Sequence, residues 1–454
     1  MSTQRRHTSL ALLVLAFCLG AGVGLRAPAV GAQDTPTPEV AKATPAAVPD
    51  APRAVVKTFK AAELKRHLNF LASKKLGGRA SGTEGCDLAG AYIEEQIKSF
   101  GLEAAGENDG YRQELQVEFK RFPGQEELDN FGESVTTFNV IGVVRGSDEK
   151  LKDEYIVLSA HYDHLGRKNK KKIFLGADDN ASGTSALLQV ARAFAEKDAP
   201  RPRRSILFLF CTAEERGLLG SKYFVDHATV PVAQMIANLN IDMVGRNESR
   251  ELHVYGNASS PDLDAAHQKA AALGKFTFLA KTGSIFLRSD QVNFYKRDIP
   301  CLFFTGGLHS DYHATTDAPK RIDTGKASRA ALHAYLTAWE LANRDERPRF
   351  TKMDEKASSG PLGAVLDVVP RESLPEHLKL KAGAGAALVR TIMDGSPAAE
   401  AKLKQGDFIL QVGGQDLPES DPVAAVEEAL GRAKEKITLR VARGRKTLKI
   451  SVKL

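Results

Sequence analysis

The sequence predicts an α/β chain: a mostly parallel (mixed) sheet sandwiched by helices, followed by a small, separate β-rich domain. Three observations predict it. Five short runs, 138–144, 155–160, 206–211, 236–241 and 299–304, are nearly continuous in apolar residues, as strands covered on both faces are. Segments with helical spacing lie between and around them, the alternation that builds such a sheet. A charged stretch without apolar period, 343–359, then intervenes, and the runs beyond it alternate and are interrupted by only two short helical segments.

The first 32 residues read as a secretory leader. Arg5 and Arg6 form a basic start, residues 10–25 are apolar, and Val30-Gly31-Ala32 offers small residues for cleavage. That apolar stretch falls short of the ~20 residues of a spanning helix, so the expectation is an exported chain, periplasmic or extracellular, with no stable membrane span after cleavage. Residues 33–57 are rich in Pro, Ala and Thr and read as a disordered linker. Residues 62–71 and 88–100 have helical spacing, the second with Leu88, Tyr92, Ile93 and Ile97 on one face and Gly101 just past its end. Further helices are predicted over 185–194, 220–226, 261–273 and 327–341. The first domain is thus expected over 58–344 and a linker over 345–359. Residues 360–454 form the second domain, with strands at 362–369, 386–393, 408–412, 437–441 and 447–452 and helices at 397–402 and 422–433.

The net charge is +7, and the leader's three arginines, with no acid, supply +3 of it, leaving +4. That excess is modest and gives no basis for a nucleic-acid partner. Cleavage leaves Cys86, Cys211 and Cys301, an odd count that makes no disulfide framework; Cys211 and Cys301 lie in apolar runs, as buried thiols do.

Acids and imidazoles gather at the ends of the apolar runs. In open α/β sheets ligands collect at the carboxyl ends of the strands. His161 follows the second run, Glu214 and Glu215 the third and Asp242 the fourth, with His313 on a loop after the fifth. Asp178 and Asp179 precede a predicted helix, where an Asp also serves as a cap; the residues themselves do not choose between them. Two histidines and three carboxylates suffice for a pair of divalent metals, and one glutamate is spare. Adjacent residues leaving a strand point different ways, so Glu215 is read as a ligand and Glu214 as a base facing the attacking water. Asp163, two residues beyond His161, is placed to accept its other ring N–H, and His164 is read as a bystander. Tyr312 offers a hydroxyl to an oxyanion. Paired metals ~3.5–4 Å apart activate water in hydrolases.

The ordered set AHYDHLG, GADDNASG, CTAEERGLLGS, NIDMVG and DYHATTD resembles metallopeptidase family 28, the two-zinc aminopeptidases and their carboxypeptidase relatives, over about residues 60–343. The upstream GGRASGTEG and the strand FNVIGVVRG are similar to that family too. The resemblance implies a zinc-exopeptidase-like fold with two zinc ions per chain. Asp179 matches the bridging aspartate, His161 and Asp242 the other ligands of one zinc, and Glu215 and His313 those of the second. Glu214 matches the general base, Asp163 the carboxylate that orients the first histidine, and Tyr312 a tyrosine of one branch. Gln291 stands where relatives often carry histidine. Peptide substrates follow, with aminopeptidase activity first, then carboxypeptidase or dipeptidase. The one-zinc glutaminyl cyclases and a non-catalytic peptide-binding protein are the rival readings.

The tail's SSGPLGAVLDVV and DGSPAAEAKLKQGDFILQVGGQDL resemble a bacterial PDZ domain. The resemblance implies that the loop carrying Leu362, Gly363 and Ala364 offers backbone N–H groups to a peptide C-terminus or protein ligand. Pro361 removes one such donor. The opposing reading is a domain that packs on the peptidase and binds nothing. The basic stretch 167–172, between His161 and Asp179, is expected on the face that bears the metals.

Overall fold

The computed structural model of the chain describes residues 53–118, 134–168, 172–274, 276–281, 284–354, 360–369, 374–375, 377–378 and 380–454. The expected leader and most of the first linker lie outside them. No helix among the described residues is long and apolar enough to cross a membrane.

Among the described residues the first sheet has nine strands: β1 (Glu103–Ala104), β2 (Arg112–Glu118), β3 (Ser134–Val144), β4 (Tyr155–His161), β7 (Ser205–Cys211), β8 (Met235–Ile241), β9 (Glu251–Tyr255), β10 (Thr277–Lys281) and β11 (Cys301–Thr305). A small hairpin, β5 (Arg167–Lys168) and β6 (Lys172–Ile173), stands apart from it. The order is β1-β3-β7-β4-β8-β11-β9-β10, with β2 also paired to β3. The central neighbours β7, β4, β8 and β11 run parallel, while β3 joins β7 and β11 joins β9 antiparallel. The sheet is therefore mixed around a parallel centre. The five runs read from sequence are β3, β4, β7, β8 and β11. Strands β1, β2, β9 and β10 extend the sheet toward its two edges.

Alternation along each central strand sends side chains to opposite faces, and two cores result. Ile156, Leu158, Phe208 and Phe210 face the long helices Ala61–Leu71, Glu84–Phe100, Gly183–Phe194, Pro261–Gly274 and Thr324–Asn343. Val157, Leu207, Leu209 and Cys211 face the shorter helices Leu219–Asp226 and Gln291–Tyr295. Each such side chain, fully buried, contributes about 1.5–3 kcal/mol.

Helix Glu84–Phe100 starts at Thr83, whose hydroxyl accepts from the Cys86 N–H, and stops at Gly101 in the left-handed region (φ 88°). Its buried stripe is Cys86, Ala89, Gly90, Ile93 and Ile97. Leu88, expected on that stripe, is 36 % exposed, because positions 86, 89, 93 and 97 already follow the helical repeat and turn 88 outward. Cys86, Cys211 and Cys301, the cysteines among the described residues, are free and buried.

Both expected linkers contribute structure where they are described. Arg53–Val56 forms a helical turn with Val55 buried. Residues 345–354 lie on the first domain: Thr351 donates to the Ser259 carbonyl at 2.8 Å, and Met353 is buried in the second core.

The second domain is an antiparallel sheet of β12 (Ala364–Val368), β13 (Ala387–Ile392), β14 (Phe408–Val412), β15 (Gln415–Asp416), β16 (Lys436–Arg443) and β17 (Lys446–Lys453). The order is β12-β13-β14-β16-β17, with β15 on β14. Helix Pro422–Arg432, capped by the Asp421 carboxylate, buries Val423, Val426 and Leu430 against it. Leu308 and Tyr312 of the first domain pack on this same core.

Candidate metal centre and active site

The carboxyl ends of the parallel strands carry the site. His161 ends β4 in register with Cys211 of β7. Asp242 leaves β8, and its N–H is bonded to the Phe304 carbonyl of β11 at 3.1 Å. Glu214 and Glu215 follow β7 after Thr212 and Ala213. Three residues at or beside these positions have positive φ without being glycine: Ala213 at 53°, Met243 at 59° and His313 itself at 55°. Backbone held there costs about 1–3 kcal/mol per residue and collects at functional sites.

The carboxylate that converges with the histidines is that of Asp179. His161 Nε2 lies 3.3 Å from Asp179 Oδ1, 3.3 Å from Asp242 Oδ1 and 3.8 Å from Glu214 Oε2. On the other side of Asp179, His313 Nε2 is 3.1 Å from Asp179 Oδ2 and 3.1 Å from Glu215 Oε2. Asp178 turns away. Its oxygens accept from the Gly245 N–H at 2.7 Å and pair with His309 at 3.1 Å. The choice that sequence left open thus falls on Asp179 by geometry.

His164 is no bystander. Its Nδ1 is 2.7 Å from Glu215 Oε1 and 3.8 Å from Asp179 Oδ2. It fixes Glu215 from behind, and one donor atom each from His164, Asp179 and Glu215 lies within a 4.8 Å cluster; His161, Glu214 and Asp242 form another. The signal was present in AHYDHLG, where two histidines bracket Asp163. Asp163 sits 3.6 Å from His161 Nδ1, longer than a formed hydrogen bond. Its oxygens instead accept from the Ser81 hydroxyl at 2.9 Å and the Glu214 N–H at 3.2 Å, so it also positions the glutamate turn.

Several supporting residues escaped sequence reading. Arg79, 1 % exposed, donates to four carbonyls: Tyr162 at 2.8 Å, Leu71 at 2.8 Å, Leu175 at 2.6 Å and Gly176 at 2.9 Å. It thereby ties the segment after His161 to the segment before Asp179. The Asp317 carboxylate receives the N–H groups of Asp178 and Asp179 at 3.0–3.1 Å. Ser289 donates to Asp242 Oδ2 at 2.8 Å. Arg79 and Asp317 lay inside quoted motifs, GGRASGTEG and DYHATTD. Gln291 is buried, accepting from Asn240 at 2.8 Å, and does not line the cavity.

Electrostatics follow from crowding. Burial, and then the charges of Glu215, Asp242 and Asp290, raise the Glu214 carboxyl well above its ordinary range, although His161 opposes this. Burial also works against ionised Glu215, yet His313 and His164 more than reverse that and leave it at about 2. Burial would lower His313; Glu215 and Asp179 hold it up at about 10. Neither ring nitrogen of His161 makes a well-formed hydrogen bond, and Asp242 Oδ1 has none either, although all are buried. So many converging acids, with donor atoms left over, are costly to bury without cations. Imidazole nitrogens and carboxylate oxygens are zinc's own ligand types. The residues present therefore fit divalent metal.

A cavity of about 230 Å³ opens beside Glu214, Glu215, Tyr312 and His313. The Tyr312 ring stacks on His313 at 3.8 Å between centroids, and its hydroxyl accepts from Arg288 Nη2 at 3.1 Å. Burial raises the Tyr312 phenol well above its usual range, so the hydroxyl keeps its proton. A smaller recess shares Glu214, Arg288 and Tyr312 and has apolar walls from Met243, Ile285 and Phe303. Of the basic stretch, residues 169–171 lie outside the described residues, and Arg167 borders a different pocket with Lys75 and Leu76. In the second domain Leu362 is buried, and the Gly363 N–H (φ 63°) is already bonded to the Gly360 carbonyl at 3.1 Å. Ala364 opens β12.

Residues 139–337 match the model of peptidase family M28, and residues 388–443 match that of a PDZ domain. An aminopeptidase of Bacillus subtilis (strain 168) is 29 % identical over 237 residues, covering 49 % of this chain and 49 % of that protein. A probable glutamate carboxypeptidase of Arabidopsis thaliana is 39 % identical over 107 residues, 23 % of this chain and 14 % of that protein. The chain thus spans about half the length, or less, of these curated relatives. Among solved structures, a zinc aminopeptidase from Bacillus subtilis superposes with a TM-score of 0.52 at 18 % identity, over 66 % of this chain and 98 % of that one. An aminopeptidase from Aneurinibacillus sp. strain AM-1 gives 0.51 at 17 %, with the same coverage. These structures share the fold. The chain therefore carries a peptidase family M28 domain, with the fold of the zinc aminopeptidases, followed by a PDZ domain.

Proposed function

We propose that the chain is an exported zinc-dependent exopeptidase, in first place an aminopeptidase, that removes terminal residues from peptides. The observation that carries this reading is the convergence of His161, Asp179, Asp242, Glu215 and His313 around a cavity that Glu214 also borders. His161, Asp179 and Asp242 would hold one zinc, and Asp179, Glu215 and His313 the other, with His164 fixing Glu215. Bound there, zinc supplies Lewis acidity that lowers the pKa of water and polarises a carbonyl. Glu214, on a turn fixed by Asp163, takes a proton from the attacking water and later gives it to the leaving amine. The Tyr312 hydroxyl, held by Arg288, donates to the oxygen on which charge develops.

The aminopeptidase reading draws on the Bacillus subtilis relative; the carboxypeptidase reading draws on the Arabidopsis thaliana relative and on the arginines that border the cavity. The leader-like residues 1–32 support export to the periplasm or beyond. A panel of peptides blocked at one end or the other tests the exopeptidase reading. Cleavage abolished by N-terminal acetylation alone is the expected result. Cleavage abolished by C-terminal amidation alone moves the chain to the carboxypeptidase reading, and no cleavage at all refutes both.

A further inference from the structure

The outer wall of the cavity comes from the PDZ domain. Val365 and Asp367 of β12 and Arg390 of β13 border it, facing Arg288 and Leu287 of the peptidase domain. Among the described residues β12 is an edge strand of its sheet, paired with β13 alone. Across the domain boundary the Asp367 carboxylate gathers two guanidinium groups. Arg288 Nη2 donates to one oxygen, and Arg390 donates to the other from Nε at 2.8 Å and Nη2 at 2.6 Å.

Both guanidinium groups are thus held at the cavity wall by Asp367. Arg288 Nη1 is buried and has no hydrogen-bond acceptor among the described residues. A buried guanidinium donor without an acceptor is costly, and a planar guanidinium is suited to carboxylate. The same Arg288 touches the Tyr312 hydroxyl, so this donor stands within one side chain of the reacting centre. The recess walled by Met243, Ile285 and Phe303 adjoins the same Tyr312 and Arg288. The site thus offers apolar walls beside its guanidinium donors.

We propose that the PDZ domain completes the substrate pocket, and that Arg288 and Arg390, gathered on Asp367, receive a substrate carboxylate next to the scissile bond. The inference rests on the exopeptidase reading and names its substrate class: short peptides with an apolar residue on one side of the bond and a carboxylate on the other. That carboxylate is either the main-chain terminus of a dipeptide or an acidic side chain.

Two matched pairs separate the sources in the zinc-loaded full chain. Leu-Gln against Leu-Gln-amide reads the main-chain carboxylate; Leu-Glu-amide against Leu-Gln-amide reads the side chain. At least one acid is expected to exceed its neutral partner in kcat/KM by about tenfold or more, the worth of a charged hydrogen bond. Arg390→Gln, which removes one of the two cations on Asp367, should bring that ratio close to one, and Arg390→Lys should restore part of it. A purely structural Arg390 would lower both members of a pair alike and leave the ratio unchanged, which overturns the proposal. Equal cleavage of acid and amide in both pairs also overturns it, while the peptidase reading stands. Calorimetry on zinc-loaded Glu214→Gln protein separates the two readings further. Tighter binding of acids than amides without cleavage of any peptide by the unmodified chain keeps the carboxylate site and refutes the peptidase.

Discussion

Arg79→Met removes the cation that joins the two halves of the metal centre. The four carbonyls of Tyr162, Leu71, Leu175 and Gly176 lose their donor together. Each stranded buried acceptor costs about 1–3 kcal/mol, or roughly 4–12 kcal/mol for four. Relief of the cost of burying a guanidinium returns several kcal/mol of that. A net loss of about 3–5 kcal/mol remains, the usual result of removing one partner from a buried charged network. At about 2–4 °C per kcal/mol in a domain of 150–250 residues, the melting temperature should fall by about 6–20 °C. Because the arginine ties the Tyr162 carbonyl beside His161 to Gly176 before Asp179, zinc affinity should fall with it. Arg79→Lys, with three donors in place of a fork, should recover only part of both. The assay is thermal unfolding with metal analysis of the folded fraction at a fixed pH. A melting temperature within about 2 °C of the parent, with unchanged zinc, would show that Arg79 does not organise the site.

Three further expectations are independent of that one. His164→Ala frees Glu215 from its 2.7 Å contact and should weaken zinc binding about 10–100-fold, the effect of losing a group that orients a ligand; a titration against a chelator reads it, and unchanged affinity returns His164 to a bystander. Tyr312→Phe should lower kcat by about 10²–10³ with zinc content unchanged; an unaltered kcat removes the tyrosine from the chemistry. His67 is buried with Nδ1 2.7 Å from the Tyr92 hydroxyl, and burial, then the charges of Arg66 and Arg192, pull its pKa down to about 4. Since this lies below the unfolded value of about 6.5, its neutral form belongs to the folded state. The stability it carries is complete above about pH 6.5 and is lost as pH falls from there toward about 4. The loss amounts to roughly 3 kcal/mol at 1.36 kcal/mol per pH unit. Urea midpoints at pH 7 and 4.5 should show a smaller difference in His67→Gln than in the parent.

What sequence made legible follows from where each residue sits. Strands β3, β4, β7, β8 and β11 are apolar almost throughout because most of their residues are covered on both faces, and the ligands stand out as the first polar residues after them. Strand β2 alternates exposed and buried residues, with only Leu115 and Val117 as its large apolar ones, and charged neighbours mask its period. Strand β9, ELHVY, is similarly broken by polar residues. Asp178 and Asp179 are chemically identical neighbours, so only the chain path between Gly176 and Gly183 decides which reaches the histidines. Arg79 bonds to carbonyls, which leave no mark in a sequence. The Arg288–Asp367 contact joins residues 79 positions apart in different domains; no local pattern announces it, although both domains were readable separately.

The metal centre and the base can be tested in one experiment: zinc content and peptide turnover measured together on the full chain and on Glu214→Gln. Close to two zinc ions per chain are expected in both proteins, with turnover lost in the variant alone. Zinc near zero in the parent chain, or a variant that turns over peptides like the parent, would contradict it.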